Sequence, residues 1–170
     1  MKTPRILLAV SIGALALALG ACSKETASSE EDASQKAGAY RISAADARTI
    51  AAKYPGVPEA PDGLRTIVLA PGAGTAKPKH GSVVAVNYEL RRLDGTVIET
   101  SAKTLGGPLV IQTGMGRVIK AWDESLLDMR KGEKRTLIVP HWLGYGVTGN
   151  PPKIPPYATL VFDLELADIK

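Results

Sequence analysis

Few side chains in this sequence could make or break a bond. There are two histidines and one cysteine. His80 follows a lysine-rich turn and His141 a proline; neither stands near Cys22 or at a ligand-like spacing, so no metal and no cofactor is expected. A single cysteine gives no redox pair and no disulfide within the chain, and no GxSxG elbow presents a serine nucleophile. "TGMGRVIK" imitates a phosphate loop through Gly114 and Gly116. The third position of GxGxxG is Ile119, however, and no Lys-Ser follows, so nucleotide binding is excluded. Asp123 and Glu124 fall in the first turn of a predicted helix, where the dipole favours acids without any catalytic purpose.

What remains is apolar and aromatic. Tyr88, Trp122, Trp142, Tyr145, Tyr157 and Phe162 all lie after Gly63. Phe162 on an alternating strand and Trp122 on the inner side of a helix read as core from pattern alone. Tyr145, set between two glycines in "LGYGVTG", has no periodic reason to be buried and is the aromatic singled out as a site residue. Such a stock suits the binding of an apolar ring better than acid–base or covalent work.

The elements that must hold these residues can be read from periodicity. "LRTIVLA" reads as a strand. "VAVNYEL" puts Val84, Val86, Tyr88 and Leu90 on one face at period two. Asp94-Gly95 marks a hairpin into "TVIET", and "LVIQ" is a further short strand. From Val118 to Met129 the period becomes helical through Ile119, Trp122, Leu126 and Met129, with Gly132 placed to close the helix. "RTLIV" and "ATLVFDLEL" are the last strands, with Leu160, Phe162, Leu164 and Leu166 facing one way. One helix among five or six strands leaves few parallel crossovers, so the sheet is mostly antiparallel. The predicted class is α+β: an antiparallel half-barrel wrapped on one short helix.

The N-terminal segment has a different texture. Lys2 and Arg5 precede an apolar run from Ile6 to Gly20, shorter than the roughly 20 residues of a spanning helix. It ends in "LGAC", which resembles the bacterial lipobox and makes Cys22 the expected lipidation site. Residues 1–21 are then expected to be a lipoprotein signal peptide, with a plainly cleaved signal and a retained anchor helix as the alternatives, and Ser23 resembles the sorting pattern of outer-membrane lipoproteins. Residues 22–62 follow as lipidated cysteine, polar tether, a short helix capped by Ser43 with Asp46 three residues on, and a proline-rich linker. Residues 63–170 form the domain. The chain holds 21 basic and 17 acidic side chains; loss of Lys2 and Arg5 with the leader narrows that excess and gives no footing for nucleic-acid binding.

"GRVIKAWDESLLDMRKGEKRTLIVP" and "LGYGVTGNPPKIPPYATLVFDLELADI" closely resemble the FKBP-type peptidyl-prolyl cis-trans isomerases, the macrolide-binding immunophilins. The likeness runs back through "DGTVIETS" and "VAVNYEL" to about Gly63. The resemblance implies a sheet wrapped on a short helix, in agreement with the pattern above. It places a pocket floor on Trp122 and walls on Tyr88, Val118, Ile119 and Phe162. It gives Tyr145 a hydroxyl that bonds a ligand carbonyl and makes the Ile119 N–H a second donor. It sets Ile154 and Pro155-Pro156 on a loop overhanging the pocket. Ile98 and Leu109 stand where many members carry phenylalanine, and Glu99 where they carry aspartate. The wall stays apolar with less aromatic surface.

The function so implied is isomerisation of X–Pro bonds in exported polypeptides, with catalytic residues Tyr88, Glu99, Trp122, Tyr145 and Phe162. Substrate contacts fall on Ile98, Leu109, Val118, Ile119 and Ile154. A proline-binding module or chaperone with little turnover is the alternative. Partners are unfolded or newly exported proline-containing chains, a macrolide inhibitor, and a membrane through the lipid; no nucleic acid is expected. Ser43 to Tyr54 is too short for a dimerising helical arm, so a monomer is predicted at the outer membrane, facing the periplasm.

Overall fold

The computed structural model describes residues 40–170; the expected signal segment, Cys22 and the polar tether to Ala39 lie outside them. Helix α1 (Ala44–Lys53) comes first, followed by β1 (Arg65–Ala70), β2 (Val83–Arg92) and β3 (Val97–Thr100). A one-turn helix α2 (Ser101–Leu105), β4 (Leu109–Gln112), α3 (Lys120–Asp128), β5 (Lys134–Val139) and β6 (Leu160–Ile169) complete the order. His141–Leu143 makes a 3₁₀ turn after β5.

Every strand pairing is antiparallel, in the order β1-β5-β6-β2-β3, with β4 also on β2. Ten-residue β2 is long enough to serve β3 with its C-terminal half and β4 with its N-terminal half on the same edge. Helix α2 fills the break between them. The hairpin into β3 turns at Asp94-Gly95, where Gly95 has φ +103 and the Asp94 carboxylate accepts the Thr96 N–H at 2.7 Å. This is the α+β architecture the alternation implied.

The inner face is the expected one. Val84, Val86 and Leu90 of β2 and Leu160, Phe162, Leu164 and Leu166 of β6 are all buried against Trp122, Leu126 and Met129. Period two and period 3.6 meet here, and apolar area leaves water at about 25 cal/mol per Å².

Three details differ from the sequence reading. Helix α3 begins only at Lys120, since Ile119 is its N-cap with extended backbone (φ −59, ψ 149). It ends at Asp128, with Met129 extended, so Gly132 does not close the helix. Gly132 (φ +79) instead turns the chain into β5, its N–H donating to Leu166 O at 2.7 Å.

The third difference concerns the outer face of the sheet, which is also covered. Ile50 of α1 packs with Leu93, Ile138 and Val161, which point away from the main core. Lys53 Nζ donates to Leu93 O at 2.8 Å, and the Trp142 indole N–H to Asp62 O at 2.7 Å. Residues 40–62 are thus packed on the body that follows. Ser43 caps α1 as read, its hydroxyl accepting the Asp46 N–H at 2.9 Å. A ten-residue helix with a mostly alanine face is marginal alone, and docking through Ile50 supplies what propensity lacks.

Candidate functional site

The site assembles around Trp122. Tyr88 pairs with Leu164 and Leu90 with Phe162 across β2 and β6, so Tyr88 and Phe162 are diagonal neighbours on one face. The indole lies between them, with ring centroids 5.1 Å from Tyr88 and 5.5 Å from Phe162, both edge-to-face. That geometry suits the ring quadrupoles and adds roughly 0.5–1.5 kcal/mol per pair beyond area burial. Trp122 is only 4% exposed, yet it borders open space. A cavity of about 540 Å³ sits over it.

Tyr88, Leu109, Val118, Ile119, Tyr145 and Phe162 form its walls as expected, with Glu99 at one side. Ile98 and Ile154 do not line it. Ile98, on β3, is half-buried and packs against the main core. Ile154 is 2% exposed and belongs to the core. Pro155 and Pro156 are not among its lining residues and border a groove formed with Ser43, Asp46 and the Asp94 hairpin.

The proline loop braces Tyr145 from behind. Gly149 N–H donates to Tyr145 O at 3.2 Å, Tyr157 N–H to Gly146 O at 3.2 Å, and Asn150 and Ile154 exchange two bonds at 2.9 and 3.0 Å. Gly149 (φ +65) permits this close return, since a Cβ there would lie 2.4 Å from Ile154 O.

Glu99 is the acidic group lining the cavity. Its carboxylate accepts the Tyr88 hydroxyl and lies 3.4 Å from Lys153 Nζ. Burial, reinforced by that acceptor, pushes the Tyr88 phenol far above its ordinary value. Burial and then the Glu99 charge raise Tyr145 as well. Both hydroxyls therefore stay protonated at neutral pH, and Tyr145 remains a donor. The other donor is the Ile119 N–H, which no hydrogen bond among the described residues takes up. The arrangement can seat an apolar ring on the indole and hold a carbonyl at each end. No group of three or more potential metal ligands occurs among the described residues.

Sequence reasoning missed Asp123. One carboxylate oxygen accepts the Gly114 N–H at 2.9 Å and the other the Gly116 N–H at 2.7 Å. The acid thus ties the loop carrying Val118 and Ile119 to the helix that carries Trp122. An acid in the first helical turn just after a G-x-G was the available signal; the dipole alone seemed to account for it. Leu90, Gly116, Arg117, Lys120 and Gly144 also border the cavity without having been named.

Comparison with known proteins agrees with this geometry. A family model described as FKBP-type peptidyl-prolyl cis-trans isomerase matches residues 74–167. "Peptidyl-prolyl cis-trans isomerase FKBP2" of Mus musculus is 47% identical over 94 residues, which is 55% of this chain and 66% of that protein. The chain thus spans just under two thirds of the length of that mouse relative. "FK506-binding protein 1A" of Emericella nidulans is 42% identical over 107 residues, 63% of this chain and 98% of its own. The crystal structure of AtFKBP13 superposes with a TM-score of 0.63 at 32% identity, covering 67% of this chain and 98% of that one.

Proposed function

The chain belongs to the family of FKBP-type peptidyl-prolyl cis-trans isomerases, and on that premise we propose that its cavity rotates the X–Pro bond of a bound polypeptide by desolvation and orientation. Rotation breaks amide resonance, a barrier of about 18–20 kcal/mol that makes the free reaction take tens of seconds. The twisted amide has lost double-bond character and part of the charge on its oxygen. The planar amide is the more polar form and loses more when water is withdrawn. Trp122 receives the pyrrolidine ring, while Phe162, Tyr88, Val118 and Leu109 keep water out. The Tyr145 hydroxyl and the Ile119 N–H hold the flanking carbonyls, so that motion is confined to one bond. Glu99 fixes Tyr88; Ile98 and Ile154 support the wall from behind. No proton has to move in this rotation, and the Tyr88 hydroxyl and Glu99 carboxylate serve as structure by engaging each other.

The observation that carries this reading is the open cavity of about 540 Å³ above a buried indole. The test is kcat/KM on an X–Pro peptide for residues 23–170. Trp122→Ala is expected to lose nearly all acceleration, and Trp122→Phe, which keeps a ring in the floor, to retain part of it. A Trp122→Ala protein with native circular dichroism and undiminished turnover would sink the mechanism. Binding of unfolded chains without any turnover would instead establish the binding-module reading.

Substrates are loosely selected, unfolded or newly exported proline-containing chains, because one ring and two carbonyls define little. A macrolide inhibitor would compete for the same cavity; the similarity to the FK506-binding protein 1A of Emericella nidulans supports that. The setting rests on the sequence of the first 23 residues: Cys22 carries lipid, the polar segment before residue 40 forms the tether, and the body, on which residues 40–62 are packed, works as a monomer at the outer membrane, facing the periplasm.

A further inference from the structure

The mouth of the cavity is lopsided in charge. Arg117 and Lys120 both border it, one on either side of the Val118–Ile119 wall. Arg117 is exposed and forms no ion pair among the described residues. Lys120 is also exposed and reaches only Glu124 on its own helix, at 3.6 Å. Of the other carboxylates nearby, Glu99 takes the Tyr88 hydroxyl and Lys153, and Asp123 takes the Gly114 and Gly116 N–H groups. Asp62, which accepts the Leu64 N–H, shares a second groove with Lys120 on the side away from Arg117.

Lys120 is the first residue of α3, where the dipole disfavours positive charge and only the pair with Glu124 offsets it. Arg117 lies two residues before the N-cap Ile119 and has no ion-pair partner among the described residues. An anion bound at the mouth would relieve that conflict and meet two cations beside the proline seat.

We propose that Arg117 and Lys120 give the site a preference for prolines flanked by an acidic side chain, Asp or Glu immediately before or after the proline. The inference rests on the isomerase reading above, which Ala-Ala-Pro-Ala tests separately. Exchange NMR on the full chain would measure turnover of Ala-Glu-Pro-Ala against Ala-Lys-Pro-Ala, and of Ala-Ala-Pro-Glu against Ala-Ala-Pro-Lys. Exposed charge pairs are individually weak, so the Glu peptide is expected to exceed its Lys counterpart by about fivefold in kcat/KM in at least one frame. The difference lies in KM and shrinks toward unity at about 1 M salt, where the screening length falls to roughly 3 Å. Arg117→Glu inverts the ratio.

Glu and Lys peptides within about twofold of each other in both frames, or a ratio indifferent to salt and to Arg117→Glu, would overturn the proposal. If Ala-Ala-Pro-Ala is not turned over at all, the isomerase reading falls. The charge preference is then decided by the Glu-to-Lys ratio of Kd from chemical-shift titration of the same peptides.

Discussion

Replacing Asp123 by alanine tests whether the proline seat depends on a single clamp between loop and helix. Its two oxygens accept backbone N–H groups at 2.9 and 2.7 Å, one bond partly buried and the other exposed. Hydrogen bonds to a charged acceptor are worth about 1.5–3 kcal/mol each, and partial exposure argues for the lower end, so the pair contributes roughly 3 kcal/mol. The carboxylate also complements the α3 dipole, adding about 0.3–1 kcal/mol. In a folded unit of this size, that loss lowers Tm by roughly 10 °C. The loop bearing Val118 and Ile119 is then free to shift, and a displacement near 1 Å costs up to ~100-fold in rate; a tenfold fall in kcat/KM is a fair expectation. Asp123→Asn falls between, since its amide keeps one acceptor and turns an NH₂ toward the other N–H. Thermal circular dichroism and exchange NMR on an X–Pro peptide supply the two readings. An Asp123→Ala protein melting within about 2 °C of wild type, at a kcat/KM within about twofold, would refute the clamp.

Tyr145→Phe removes one neutral donor and is expected to lower kcat/KM by roughly 2- to 10-fold with little change in stability, since such a bond is worth about 0.5–1.5 kcal/mol. Because burial raises the Tyr145 hydroxyl above the ordinary 10.0, it stays protonated below that value. Its contribution to the wild-type kcat/KM therefore shows no titration between about pH 7 and 9 and declines only above the ordinary tyrosine range; a titration in that window absent from Tyr145→Phe would contradict this. Ile50→Ala empties a small cluster and costs about 2 kcal/mol, the low end for such truncations, by denaturant titration. The turnover of folded Ile50→Ala should match wild type, because α1 covers the face of the sheet opposite Trp122. Cys22→Ala should abolish palmitate labelling in a bacterial host and release the protein from the membrane fraction; continued labelling would remove the anchor from the reading.

Much of the fold was legible because its signals are local. Alternation at Val84, Val86 and Leu90 and at Leu160, Phe162, Leu164 and Leu166 follows from the pleat, and the spacing of Trp122, Leu126 and Met129 from the helical repeat. Asp94-Gly95 announced its hairpin, and Ser43 its cap, because turns and caps are satisfied within three or four residues. Helix ends were less legible. Ile119 has the right spacing to be helical, yet its backbone is extended, and Gly132 resembled a helix stop while serving a turn one step later.

The sequence alone determined which faces would be buried and offered no motif for covalent, metal or nucleotide chemistry; the resemblance its motifs carry brought an indole and two further rings to one site. Tertiary structure decided what those groups became. It opened a hollow above Trp122, joined Asp123 to a loop seven to nine residues earlier, and left Arg117 and Lys120 facing the mouth. It also moved Ile154 into the core, turned the proline run into a brace behind Tyr145, and laid α1 on the outer face through Ile50. The reason is physical: periodicity fixes the direction of a side chain within its own element. Whether that direction meets a neighbour, water or an empty space depends on chain distant in sequence.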